Sequence, residues 1–407
     1  MIINNLHEIK SKTEYLSVDD NDRVINLYVI NDVNLTGDNI TYPNILLHSD
    51  GEIYNPVVEE VMSLKSVTSK KTYEYNNIGL ANVCEIPVFF FVYNVDNYYH
   101  FVYDTLPYLI SYIKLKETIP DVKLLMNYSG NSRVFYKFVT EFLEVLGITE
   151  SDIIIADINT VYTTIYISSS YTHDIDSNLP PRKEIYELYK NVVTKIKAEN
   201  FIDNLPKKIY ISRRTWINND LSNIGTNYTT RRKLINEDKL VEVLSGYGYK
   251  EVFTESLNTI EKVLMFSNAD VIIGSIGGGL CNVLFSNKNT KLIALISPTF
   301  LEVNNRFIYS FENVDTVYFN DTYHSESNFW KKYMRVRVDK YNIVGEIDDI
   351  YDDSLLVSYT DKKVSGWNSN MILNKKEVSK SDCVALDSGL NSSWDFNIDD
   401  LKKYLVE

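Results

Sequence analysis

ADVIIGSIGGGLCNVLF, residues 269–285, reads as an apolar strand, a glycine-rich turn and the start of a helix. Similar apolar runs flank it: KKIYIS (207–212), EVFTE (251–255), KLIALIS (291–297) and DTVYFN (315–320). Such near-continuous hydrophobic runs suit parallel strands covered on both faces. Helical patterns at 232–247, 257–268 and 279–286 fall between them. Strand and helix in alternation predict βαβ units and a doubly wound sheet. Lys207 to Asn320 therefore holds enough for one Rossmann-like domain.

An earlier series points the same way. VKLLMN (122–127), DIIIAD (152–157) and TTIYIS (163–168) alternate with helical patterns at 98–116, 132–147 and 182–200. The linker PPRKE (180–184) separates the two series. Upstream, RVINLYVI (23–30), NILLHS (44–49) and IPVFFFVYN (86–94) read as short strands punctuated by turn residues. Beyond residue 330 the alternation stops. SLLVSYT (354–360) and NMILNKK (370–376) read as a small β addition, and DDLKKYLVE (399–407) as a closing helix. The expected fold is α/β, with two Rossmann-like lobes around a cleft. Its parts are a β-rich segment over 1–95, a first lobe over 96–180, a second over 181–325, and the addition over 326–407.

Composition narrows the function. The chain has 407 residues, 44% of them hydrophobic and 24% charged, so it is globular and too long for one ordinary core. A net charge of −14 argues against a nucleic-acid partner held through phosphates. The 3 cysteines, Cys84, Cys281 and Cys383, suit neither a disulfide framework nor a zinc site, and point to a reducing compartment. MIINNLHEIKSKTEY shows no secretory pattern, and no window reads as a membrane span. A cytoplasmic protein is expected, its oligomeric state open. Tyrosine is abundant, 31 against 4 Trp. Biased base composition of the coding sequence is the preferred reading, with sugar binding by flat rings as the alternative.

Three segments carry chemistry. In the first stretch quoted, Gly277, Gly278 and Gly279 are three of only 15 glycines. They permit positive φ or close approach of backbone to a ligand, and the helix that follows directs N–H groups at an anion. Ser275 and Asn282 flank the turn and could bond a ribose or phosphate. The segment is neither GxGxxG nor a Walker loop. A tight βα turn with no ligand fits the glycines too.

The second segment is YISRR (210–214) with RRKLINED (231–238). Arg213 and Arg214 leave the carboxyl end of a strand, where open α/β sheets bind ligands. Arg231 and Arg232 follow. The guanidinium fork suits diphosphate oxygens. Some of the four are expected instead to pair with Asn236, Glu237 or Asp238.

The third segment is NYYHFVYDTLPYLI (97–110). His100 and Asp104 share a helix face at i, i+4, and Pro107 should kink or end the turn that carries them. Such a pair can work as a general base. Spacing alone favours a satisfied buried contact. Asp174-Ile175-Asp176 matches a DxD metal pattern that arises readily by chance in so acidic a chain.

Together, in this order and spacing, the three segments resemble glycosyltransferase family 61 over about residues 95–300. NYYHFVYDTLP is similar to the family's NYxHxxxDxLP. YISRR with RRKLINED is similar to YhSRxx…RxhhNE, and SNADVIIGSIGGGLCNVLF to xxAdvhhGxHGAxhTNhhF. The resemblance implies a GT-B-like fold and inverting transfer from a nucleotide sugar, usually UDP-linked, to a glycan or glycoconjugate. It implies Asp104 as base with His100 beside it, and Arg213 and Arg232 as diphosphate contacts. Asn236 and Glu237 come along as motif residues, and Gly277, Gly278, Gly279 and Asn282 as the nucleotide loop. No cofactor and no divalent metal are expected. Two positions depart from the pattern: Ile276 stands where the family often has His, and Cys281 where it has Thr or Ser. Two rival readings keep the fold: a nucleotide-sugar epimerase, and a non-catalytic glycan-binding or virion-surface protein, for which Ile276 is the main support.

Overall fold

The computed structural model describes residues 5–8, 25–36, 46–49, 52–55, 62–63, 82–93, 95–128, 133–172, 182, 184–214, 234, 236–295, 315–319, 330, 335–359, 374–385, 394, 397–402 and 404–405. The chain divides into two compact units, Met1–Asn200 and Phe201–Glu407.

The first unit contains β1 (Asn5–Glu8), β2 (Asn26–Thr36), β3 (Leu46–Ser49), β4 (Glu52–Asn55), β5 (Met62–Ser63), β6 (Asn82–Cys84) and β7 (Val88–Phe90). Next come α1 (Tyr98–His100), α2 (Leu109–Thr118), β8 (Lys123–Met126), α3 (Lys137–Val145), β9 (Ile153–Ile155), β10 (Thr160–Ser168) and α4 (Glu184–Glu199). The strands form one sheet in the order β5-β4-β3-β2-β10-β7-β8-β9, with β1 on β2 and β6 on β10. Only β10-β7-β8-β9 is the expected parallel array. Its centre is fully buried through Val88, Phe89, Phe90, Leu124 and Leu125. β2 runs antiparallel to β10, and β3 to β5 continue antiparallel. The sheet is therefore mixed: the runs expected to be parallel are so, and the upstream β-rich segment joins them antiparallel through β2 instead of only packing on them. The tight connection from β3 to β4 permits only antiparallel neighbours. α4 turns Ile185, Leu188, Tyr189, Val192 and Ile196 inward, an apolar stripe at helical spacing.

The second unit opens with β11 (Lys208–Ile211), α5 (Glu237–Gly246), β12 (Lys250–Val252), α6 (Thr259–Asn268), β13 (Val271–Ser275), β14 (Lys291–Leu295) and β15 (Asp315–Phe319). These five strands are all parallel, in the order β12-β11-β13-β14-β15. In chain order that is 2-1-3-4-5, the flavodoxin-like arrangement. The strand order reverses between β11 and β13, and ligands of open α/β sheets bind at the carboxyl side of that point. α6 is started by a capping box: the Asn258 side chain accepts from the Glu261 amide and the Glu261 carboxylate from the Asn258 amide.

The expected β addition is an antiparallel sheet with its own core. It comprises β16 (Arg335–Val338), β17 (Ile343–Ile350), β18 (Ser354–Tyr359), β19 (Asn374–Ser379) and β20 (Cys383–Ala385), in the order β19-β18-β17-β16-β20. β19 runs to Ser379, beyond the apolar stretch that marked it in the sequence. It is an edge strand, and NKKEVS tolerates solvent there. α7 (Ile398–Lys402) closes the chain. Trp394, Ile398, Leu401 and Leu405 join Tyr210, Leu240, Leu244, Ile273 and Ile293 in one core.

Candidate functional site

Asn97 begins the first site by accepting the His100 amide at 3.2 Å. The helix then widens. The Leu106 amide donates to the Phe101 carbonyl, five residues back, so Phe101–Thr105 forms a π turn. Pro107, which has no amide hydrogen, falls in the 3₁₀ turn that follows, Leu106–Tyr108. Pro107 thus reshapes the helix without ending it, and α2 continues. The Val102 carbonyl, which Pro107 cannot serve at the π spacing, accepts instead from the Tyr189 hydroxyl of α4 at 2.8 Å. In this widened turn His100 Nδ1 lies 2.6 Å from Asp104 Oδ2. The Asp104 side chain is buried at 8% exposure, while that of His100 is 42% exposed. The carboxylate is the inner member of the pair and the imidazole the outer one.

The second unit gathers its own site at the carboxyl ends of β11, β12 and β13. Glu237, at the start of α5, is buried. Its Oε1 accepts from the Tyr210 hydroxyl (2.8 Å), the Ser212 hydroxyl (3.1 Å) and the Arg213 amide (2.8 Å). Burial pushes the carboxyl above the usual range, and these three donors pull it back. Arg213 itself donates Nη1 to the carbonyl of Ile276 at 3.3 Å. Burial lowers its guanidinium, and Glu237, Tyr210 and Glu255 oppose that. Arg214 has a different office. It grips Glu251 with two bonds, 2.9 and 2.7 Å, and Asp238 with one of 2.5 Å. Those hydrogen bonds hold its charge firmly, so it ties α5 to β12.

The glycines serve closeness rather than unusual dihedrals. Positive φ occurs at Gly147 and Gly248, and the turn has none. A Cβ on Gly277 would stand 3.0 Å from Arg213 Nη1, and one on Gly279 would stand 2.7 Å from Thr254 Oγ1. Gly278 has open space. The expected helix after the turn is a single 3₁₀ stretch, Leu280–Phe285, too short for a substantial dipole. Asn282 is fully buried and donates to the Gly279 carbonyl at 2.8 Å, which fixes the turn from below. Ile276 is buried at the position of the family histidine and contributes only its carbonyl toward Arg213. The Ser275 hydroxyl is buried without a partner among the described residues.

The structure thus brings Arg213, Glu237, Ser275, Gly277, Gly278, Gly279 and Asn282 into one locus, with Asn236 beside it preceding α5. His100 and Asp104 form a separate pair in the first unit. Arg231, Arg232, Asp174 and Asp176 lie outside the described residues. Sequence reading missed Tyr189, Thr254 and Glu255. Thr254 and Glu255 end the EVFTE run, and only the 2-1-3 strand order reveals that this end lies beside Arg213. Among the described residues no helix is long and apolar enough to cross a membrane.

No curated protein matches the chain. A family model does, described as Glycosyltransferase 61, over residues 98–293. The matched stretch opens just before the His100–Asp104 turn and closes in β14, so it spans both loci. That stretch, holding the π turn, the arginine strand and the glycine turn, belongs to glycosyltransferase family 61.

Proposed function

We propose that this chain is an inverting glycosyltransferase, and that it moves a sugar from a nucleotide diphosphate donor, UDP-linked, to a hydroxyl of a glycan or glycoconjugate. The observation that carries the donor half is Arg213 laid on Gly277 at the reversal of the 2-1-3-4-5 sheet. A guanidinium and close backbone amides are what a leaving diphosphate needs as charge builds on it. The reading assigns that charge to Arg213 and the turn, with no divalent metal.

Inversion requires one in-line displacement and one group to take the acceptor's proton. His100 and Asp104 supply it as a pair. Asp104 is buried and holds His100 at Nδ1, and the exposed ring offers its other nitrogen to the hydroxyl. The carboxylate then stabilises the imidazolium that forms. This gives Asp104 the orienting role and His100 the contact with the acceptor. The fold is read as GT-B-like, with acceptor chemistry in the first unit and donor binding in the second.

The test is a screen of UDP-sugars for transfer and for slow hydrolysis, with product stereochemistry read by NMR. Release of UDP with an inverted anomer supports the proposal. Neither turnover nor thermal protection by UDP would leave a non-catalytic binder. Conversion of the donor sugar without UDP release would indicate an epimerase. Asp104→Asn should lower transfer by about 10²–10⁴-fold while donor binding stays nearly intact.

A further inference from the structure

Glu255 follows β12 and is buried, yet its Oε1 has no hydrogen-bond partner among the described residues. Its neighbour Thr254 packs onto Gly279, which places this short turn against the proposed diphosphate locus. β12 is also the strand next to β11, whose end carries Arg213. Three charged groups act on Glu255 through space: Lys262 from α6, Arg213 from the end of β11, and Glu237 from α5. Glu255 in turn favours the charged form of Arg213. Both Lys262 and Glu237 are buried, so this is a shielded set of two cations and two carboxyls. A diphosphate entering such a set adds negative charge where water screens little. Protonation of one of the carboxyls relieves that repulsion. Each carboxyl keeps one oxygen without a partner among the described residues, but Glu237 is held by three donors on the other and Glu255 by its own amide, so Glu255 is the less tightly held of the two.

We propose that Glu255 is a positioning residue for Arg213: it balances the guanidinium while the site is empty, and it takes a proton from solvent when a donor diphosphate binds. This rests on the donor reading above. In the ligand-free protein burial already pushes Glu255 up to about 7. A bound diphosphate pushes it further in the same direction, so binding and protonation favour each other. Affinity is then highest below about pH 7 and falls as pH rises, by at most about tenfold per pH unit. The carboxylate that forms at high pH competes with the diphosphate for Arg213.

The experiment is calorimetry with UDP-glucose, whose diphosphate diester keeps its charge across this range, between about pH 6 and about pH 8.5 in buffers of different ionisation enthalpy. The wild-type protein should take up close to one proton near the alkaline end of this window, and Kd should rise with pH. Glu255→Gln should bind with no uptake and a flat profile, its folding checked by thermal melting. Binding without uptake in the wild type, or uptake that persists in Glu255→Gln, overturns the inference and leaves the donor reading standing. No binding of UDP-glucose at any pH overturns both.

Discussion

The guanidinium of Arg213 occupies the space that a side chain on Gly277 would need, with Nη1 3.0 Å from the would-be Cβ. Gly277→Ala must therefore push the end of Arg213 off its contact with the Ile276 carbonyl. Donor affinity should fall about tenfold, ~1.4 kcal/mol, with little change in Tm. Gly279→Ala should do the reverse. Its contact with Thr254 at 2.7 Å lies within a packed turn, so roughly 1–3 kcal/mol of stability should be lost. Calorimetry of UDP binding and thermal melts of both variants separate the two effects.

Adjacent arginines should answer differently. Arg213→Lys keeps the charge but loses the fork, and donor binding should weaken by about tenfold or more. Arg214→Ala leaves Glu251 without its bidentate partner, and about 1–3 kcal/mol of stability should go. Donor affinity per folded molecule should change little. Equal loss of binding in both variants would refute this division.

The bond from Tyr189 to Val102 should prove structural with a catalytic consequence. Tyr189→Phe leaves a buried carbonyl without its 2.8 Å donor and should cost about 1–3 kcal/mol. Because that carbonyl belongs to the π turn carrying Asp104, kcat should fall as well while donor Kd holds. A Tm shift with wild-type kcat would detach α4 from catalysis.

His100 and Asp104 should act as one unit. Each of His100→Gln and Asp104→Asn should lower kcat by about 10²–10⁴-fold. The double variant should be scarcely worse than either, since the first change already disables the pair. Multiplying effects would mean the two residues work independently.

Stability should report Glu255 even without ligand. The carboxyl stands near 7 in the folded protein against an ordinary value of 4.5. The folded state therefore holds more protons than the unfolded one between those values, and stability is lost as pH rises through that window. A shift of this size corresponds to about 3 kcal/mol. Glu255→Gln should melt higher than wild type at about pH 8, with the gap closing below about pH 5. A constant gap across pH would remove Glu255 as the titrating group.

Much of this was legible from residue patterns. β8, β11, β13 and β14 announced themselves as short apolar runs, because strands buried on both faces must be apolar on both. The three motif segments marked His100, Asp104, Arg213 and the glycines, since their residue types are scarce or costly without a reason. The reason for the glycines, however, was close approach by Arg213 and Thr254, with no positive φ. The mixed character of the first sheet was not legible either. Which edge β2 would join depends on pairing with β10, a strand more than a hundred residues away in the chain.

Local chemistry, then, is what the sequence by itself determined: strand and helix periods, a proline in a helix, glycines in a turn, a carboxylate four residues from an imidazole. These depend on near neighbours along the chain. The tertiary structure alone decided which arginine was laid against the glycine turn and which was bound to Glu251, and it alone drew Glu255 toward Arg213. Those outcomes depend on burial and on charges brought together from separate strands, and burial is a property of the packed sheet that no single segment carries.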